Sequence, residues 1–295
     1  VRGARFLAAA LLILFVALVA GSAIHACMIP IGDLAHRVPK RTAMMRQRER
    51  EAEARGRAFR IDRRWVAYGG ISPLLRRAVL VAEDDAFFSH SGLDWNQIRS
   101  SAREDLEARR VVRGGSTITQ QLAKNLFLGE QRTPLRKLEE LFLALRLERA
   151  LTKRRILELY LNEIEWGDGI FGVEAAARRY FGVGSGGLDE RQALLLAAII
   201  INPRRYSPLA PAKRIENRVR MIASRLRARG LLSQDQYLVA IGTPRPSHVP
   251  GFLRWLFGGS SSSDPKPRPS PPESASADSA AMKDAAPAES LATPP

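Results

Sequence analysis

Apolar and polar positions divide the chain into three regimes. Residues 6–32 contain no Asp, Glu, Lys or Arg. At ~1.5 Å per residue such a run spans a hydrocarbon core of ~30 Å as a helix. Beyond it, to about residue 242, apolar residues recur at helical spacing between cap residues, Gly and Pro. From Gly258 onward Ser, Pro, Ala and Gly dominate. That composition offers too little apolar surface to offset ordering entropy, so a disordered tail is predicted over 258–295.

Within the middle regime the pattern predicts a mainly α domain over 59–257. Arg and Glu alternate with Ala over 35–58, and residues 33–58 read as a basic juxtamembrane segment, lying on anionic headgroups or standing as a charged stalk. A short strand is expected within 59–67, then a turn at Gly69-Gly70. Ser72-Pro73 opens a helix by cap and first-turn logic. It carries Leu74, Leu75, Ala78, Val79 and Ala82 inward and brings Glu83 to its C-terminal end. Residues 96–113 alternate apolar and basic positions and read as a membrane-touching loop or an exposed helix. Thr117 with Gln120 has capping-box spacing, and Thr133-Pro134 and Thr152 open two further helices. Residues 162–172, with three glycines, read as a shaped loop. Asp189 opens an apolar helix that Asn202-Pro203 stops. A long helix over 212–229 has an arginine face of Arg214, Arg218 and Arg225, and 233–241 forms the last helix.

Charge narrows the partners. The formal net charge is +16, while the tail 258–295 has more acidic than basic residues, so the basicity belongs to the part that folds. Nucleic acid, anionic lipid or a pyrophosphate would each answer it. The apolar run and the lack of an aromatic–basic readout array argue against nucleic acid. Cys27 is the only cysteine, and the four histidines are scattered, which leaves neither an internal disulfide nor a zinc pattern. Residues 1–5 precede the apolar run, which reads as a retained anchor, with a cleaved signal peptide as the alternative. Arg2 and Arg5 before it face Arg37, Lys40 and Arg41 after it, so charge does not orient it.

Two stretches hold candidate chemistry. Glu83 ends an apolar run and is followed by Asp84, Asp85, Phe87, Phe88, His90 and Gly92. A carboxylate where core gives way to cleft is partly desolvated, which raises its pKa and suits it to take a proton. An exposed acidic helix end is the bland alternative. Gly114-Gly115 precede Ser116, Thr117, Gln120, Gln121, Lys124 and Asn125. Glycines, a helix start and a lysine make a phosphate grip, without the residue order of a P-loop. On a helix, Arg136 and Glu140 share one face, which fits a surface salt bridge as well as a site.

Taken together these stretches resemble the glycosyltransferase family that polymerises peptidoglycan from lipid II. Its Glu-Asp-x-x-Phe-x-x-His-x-Gly is matched by Glu83, Asp84, Phe87, His90 and Gly92. Its Gly-x-Ser-Thr-Ile-Thr-Gln-Gln-x-x-Lys-Asn runs from Gly114 to Asn125, and its Arg-Lys-x-x-Glu is Arg136, Lys137 and Glu140. A fourth motif covers Lys153 to Phe181 with Asn162, and a fifth includes Ala197, Ala198, Asn202 and Pro203. The order is the family's. The one Ser-x-x-Lys that follows, Ser263 to Lys266, lies in the tail expected to be disordered, and no Lys-Thr-Gly follows, so the similarity is to the monofunctional biosynthetic members. Val183 stands where the family usually has lysine, and Ser100 where some members have arginine.

The resemblance implies a lysozyme-like helical fold with a smaller membrane-apposed lobe that includes 96–113. It implies inverting transfer from an undecaprenyl-pyrophosphate-linked donor, with Glu83 as general base and Glu140 assisting near the pyrophosphate. Lys124, Arg136 and Lys137 would meet the leaving group. Ser116, Thr117, Gln120, Gln121 and Asn125 would hydrogen-bond substrate. Asp84, Phe87, His90, Gly92, Gly115 and Asn162 would shape the cleft. Glu139 should point about 100° from Glu140 and be structural. No cofactor is required, with room for a divalent cation, magnesium or manganese. Lipid II, the membrane and wall-building or division proteins are the implied partners, with the domain on the outer face of the cytoplasmic membrane. The rival readings are a glycan-cleaving enzyme and an inactive scaffold.

Overall fold

The structure is a computed structural model that describes residues 2–95, 99–100, 115–130 and 133–243. The expectations for the tail, for most of the membrane-touching segment and for Gly114 fall outside the described residues.

Ten helices, α1 to α10, and a small sheet make up the described residues. Two helices with long buried runs form the centre. Helix α8 (Glu190–Ile199) buries every residue from Ala193 to Ile199. Helix α6 (Lys153–Glu163) buries Ile156, Leu157, Leu159, Tyr160 and Leu161. A helix apolar all round has to be surrounded. Around α8 pack α3 (Pro73–Glu83), α9 (Lys213–Ala228) and α10 (Gln234–Ala240). Against α6 packs α4 (Ile118–Ala123), which also lies on α5 (Pro134–Ala150). Helix α7 (Val173–Phe181) completes the shell.

The cap signals hold. Ser72, Thr133 and Thr152 each accept a backbone N–H three residues on. Thr117 with Gln120, Asp189 with Gln192 and Ser233 with Gln236 form complete capping boxes. Each such cap contributes about 1 kcal/mol to its helix. Beyond Ala123 the α-helix widens into a π-helical turn, Lys124–Leu128. There Asn125 Nδ2 donates to the Gln121 carbonyl at 2.8 Å. Such turns occur often at functional sites.

Two local expectations are corrected. The segment 162–172 is not only a loop: β2 (Glu165–Gly167) and β3 (Ile170–Phe171) pair antiparallel within it. The strand expected over 59–67 is the two-residue β1 (Asp62–Arg63), parallel to β3, giving the order β1-β3-β2. The hairpin escapes a strand reading because its glycines look like loop. Gly169, at the turn, has φ +75°, and a Cβ there would lie 2.6 Å from the Arg60 carbonyl oxygen.

The second correction is α2 (Ala43–Glu53), in the stretch expected to be solvated. Thr42 caps it, and Met44, Met45, Arg48 and Ala52 are buried. It packs on the π turn. Its charges are not free: Arg48 is 4% exposed and donates to Glu165 at 2.8 Å, with Glu130 and Glu51 on its other nitrogens.

Helix α1 (Arg2–Met28) is long and apolar enough to cross a membrane. Phe6, Leu7, Ile13 and Phe15 are exposed, whereas Ser22 and Ala26 near its end are buried. That end packs along α5. There His25 Nδ1 lies 3.2 Å from Glu139, and Arg146 donates to the Ile29 carbonyl at 2.8 Å. Glu139 is thus on the docking face, away from Glu140, as its helical offset predicts.

Candidate active site

Helix α3 ends at Glu83 and α4 begins at Ile118. Asp84 joins the two ends. It is buried, accepts the Ile118 N–H at 2.9 Å and lies 2.9 Å from His90 Nε2. Phe87 packs edge-on to the His90 ring under the Lys153 ammonium. Gly92 offers its carbonyl to the Thr117 hydroxyl at 2.8 Å. With φ +89° and Glu148 where a Cβ would sit, glycine is the residue that fits there. These residues bring Glu83 beside the polar face of α4.

Glu83 is 12% exposed, and both oxygens are engaged. Gln121 Nε2 donates to Oε2 at 3.0 Å, and Arg218 Nη2 on α9 donates to Oε1. Burial raises the Glu83 pKa, against the lowering effect of Arg218, Gln121 and Lys124. Tyr160 OH donates to the other end of the Gln121 amide at 2.9 Å.

Beside Glu83 opens a cleft of about 510 Å³, within the usual range of ligand sites. Gln121, Lys124, Asn125, Arg136 and Tyr160 are on its wall. Glu83 is not on that wall; it is joined to it by the hydrogen bond from Gln121. Arg136 Nη1 meets Glu140 Oε2 at 2.6 Å, and Lys137 holds the other Glu140 oxygen while donating to Ser116 Oγ at 3.0 Å. Burial lowers the Lys124 pKa, with Glu140 and Glu130 opposing and Arg136 and Lys137 lowering it further. Three cations therefore lie within electrostatic reach of one another around a single buried glutamate. A site so arranged waits for an anion.

Not every expected contact residue faces the cleft. Thr117 and Gln120 are buried and commit their side chains to the capping box and to Gly92. Asn162 is buried, clamping both backbone groups of Val66 at 2.9 Å. Gly115 and Ser116 lead into α4, and only Ser116 bonds a site cation. Both Glu140 oxygens are taken, and among the described residues no three His, Cys, Asp or Glu side chains gather as metal ligands.

Sequence reading missed Arg218 as a partner of Glu83 and Arg48, Glu165 and Arg204 as cleft wall. The only signal was the arginine face of α9, and no spacing links it to Glu83.

A carboxylate at a helix end beside a cationic cleft, on a helical core, is an arrangement that suits transfer of a group from an anionic leaving group. The family model described as Transglycosylase matches residues 51–227. The biosynthetic peptidoglycan transglycosylase of Nitrosomonas eutropha is 46% identical over 188 residues, 64% of this chain and 77% of that protein. Those of Laribacter hongkongensis and Nitrosomonas europaea are 47% and 48% identical, covering 82% and 78% of their lengths. The chain belongs to this family of peptidoglycan glycosyltransferases.

Proposed function

We propose that the enzyme polymerises lipid II by inverting glycosyl transfer, with Glu83 as general base. The supporting observation is the placement of Glu83 beside a cleft wall that carries Lys124 and Arg136. The 4-hydroxyl oxygen of an incoming lipid II attacks C1 of the donor sugar. Its proton passes to Glu83, which converts a poor nucleophile into a competent one. The C1–O bond to the diphosphate breaks with its electron pair, and the configuration at C1 inverts. Charge grows on the leaving diphosphate, where Lys124, Arg136 and Lys137 stabilise it. Glu140 holds the last two cations in place.

Lipid-linked substrates place the cleft at a bilayer surface. Helix α1 serves as the anchor, with the domain on the outer face of the cytoplasmic membrane. Glycan cleavage fits less well, because a hydrolase has no leaving diphosphate for three cations to meet.

Labelled lipid II incubated with the purified full chain tests this. We expect polymer from the parent and at least ~100-fold less from Glu83→Gln, the usual loss of a general base, with Tm unchanged. Polymer from Glu83→Gln at the parental rate refutes the assignment. Cleavage of preformed glycan without synthesis favours the hydrolase.

A further inference from the structure

Tyr160 lies outside the mechanism above. It is fully buried on α6, and its helical spacing reads as core. Its hydroxyl nevertheless reaches Gln121 Oε1, while Nε2 of the same amide reaches Glu83 Oε2. A primary amide has a donor end and an acceptor end. A proton-free carboxylate only accepts, so it needs the NH2 end facing it. The carbonyl end then turns toward α6 and needs a donor there.

We infer that Tyr160 is a positioning residue for the general base: by holding the Gln121 carbonyl, its hydroxyl fixes the amide with NH2 toward Glu83 and selects the proton-free carboxylate. This rests on Glu83 being the base. Burial, reinforced by the Glu83 charge, keeps the phenol pKa well above its ordinary value, so Tyr160 stays a donor across the working pH range. The other charged groups facing Glu83 act elsewhere. Arg218 from α9 holds Oε1, and Lys124 acts through space from the π turn. Asp84, next in the chain, is occupied by His90 and the Ile118 N–H. Arg225 bonds the Val81 carbonyl. Among the described residues, Tyr160 is the donor on the Gln121 side-chain carbonyl.

Without that hydroxyl the amide is free to turn, and its carbonyl can accept a proton held by Glu83. The acid form gains, and the base loses its proton only at higher pH. The test is the pH profile of kcat/KM on labelled lipid II for the full chain in detergent. For Tyr160→Phe we expect kcat about tenfold lower, a fraction of a general base's contribution, with KM within about twofold. The acid limb should move up by about half a pH unit to one unit. Gln121→Glu, which leaves Tyr160 in place but removes the donor to Glu83, should move it further. In a Gln121→Met background, Tyr160→Phe should add nothing to the shift.

An unmoved acid limb in Tyr160→Phe or in Gln121→Glu, with Glu83→Gln inactive, overturns the inference. So do Tyr160→Phe and Gln121→Met shifts that simply add. Should Tyr160→Phe fail to fold, the full chain carrying a ring-fluorinated tyrosine at position 160 decides: the stronger donor should move the acid limb down, and an unmoved limb overturns the inference. Parental activity in Glu83→Gln is a different result, which removes the base assignment itself.

Discussion

Glu83 is pulled in two directions. Desolvation favours its neutral form, while Arg218, the Gln121 amide and Lys124 favour the anion, and burial wins. The balance suits a base that must be charged yet basic. It makes Arg218 a control on the working pH. In Arg218→Met only burial, Gln121 and Lys124 remain, so the Glu83 pKa rises further. The acid limb of kcat/KM should then move up by about one unit, and Arg218→Lys, which restores the charge, should bring it back. A limb that moves down in Arg218→Met contradicts this electrostatic account. The Lys124 balance has the opposite sign. Burial and two neighbouring cations push its pKa down, and a bound diphosphate would push it back up. Lys124 and Glu83 were legible in the sequence because each belongs to a contiguous motif. Arg218 was not, because its contact with Glu83 depends on how α9 crosses α3.

At the scale of elements, the helices were legible where a local group starts or stops them. Ser72, Thr133, Thr152 and Asp189 all cap as their spacing predicts. What sequence could not show was which charged stretch is buried. Arg48 on α2 looks like any other surface arginine until Glu165 on β2 and Glu130 after the π turn close on it. Removing one partner of so buried a pair leaves an uncompensated charge. Arg48→Ala should therefore cost about 3–5 kcal/mol, read from urea unfolding, whereas an exposed stalk arginine would cost almost nothing.

Glu163, at the end of α6, makes a second element-scale prediction. Its side chain is fully buried against Arg63 of β1, yet burial outweighs that pairing and lifts its pKa from 4.5 to about 7. Because the folded-state value lies above the unfolded one, the fold gains from the protonated form. That stability is fully present below about pH 4.5 and is lost as pH rises through about 7. At ~1.4 kcal/mol per unit the difference is about 3 kcal/mol. Glu163→Gln keeps an acceptor for Arg63 and carries no charge. Compared with the parent by urea unfolding at pH 5 and pH 8, it should lose less stability on going to pH 8. Parallel losses in the two proteins would mean that Glu163 stays ionised throughout.

For the whole molecule, the question is whether α1 is a tether or part of the fold. In its first turns Phe6, Leu7, Leu11, Ile13, Phe15 and Leu18 are exposed apolar surface. Its last turn and the residues just after it differ. Ala26, Ile31 and Leu34 belong to the main core, Arg146 caps the helix end through the Ile29 carbonyl, and Arg155 donates to the Leu34 carbonyl at 2.8 Å. The same α5 that receives this end carries Arg136 and Glu140. Two deletions separate the roles. Removing residues 2–18 takes away only exposed surface, so Tm in detergent should stay within about 2 °C of the parent, and polymerisation of soluble lipid II analogues should persist. Removing residues 2–34 strips the core side chains of Ile31 and Leu34, each contributing roughly 1.5–3 kcal/mol, and the smaller one of Ala26. Tm should then fall by about 5–10 °C or more, and kcat should fall with it as α5 loses its support. Both deletions should abolish retention on vesicles if the exposed turns are what the bilayer holds. Equal Tm for the two deletions would show instead that the docked turns contribute nothing, and that the chain from residue 35 onward folds without them.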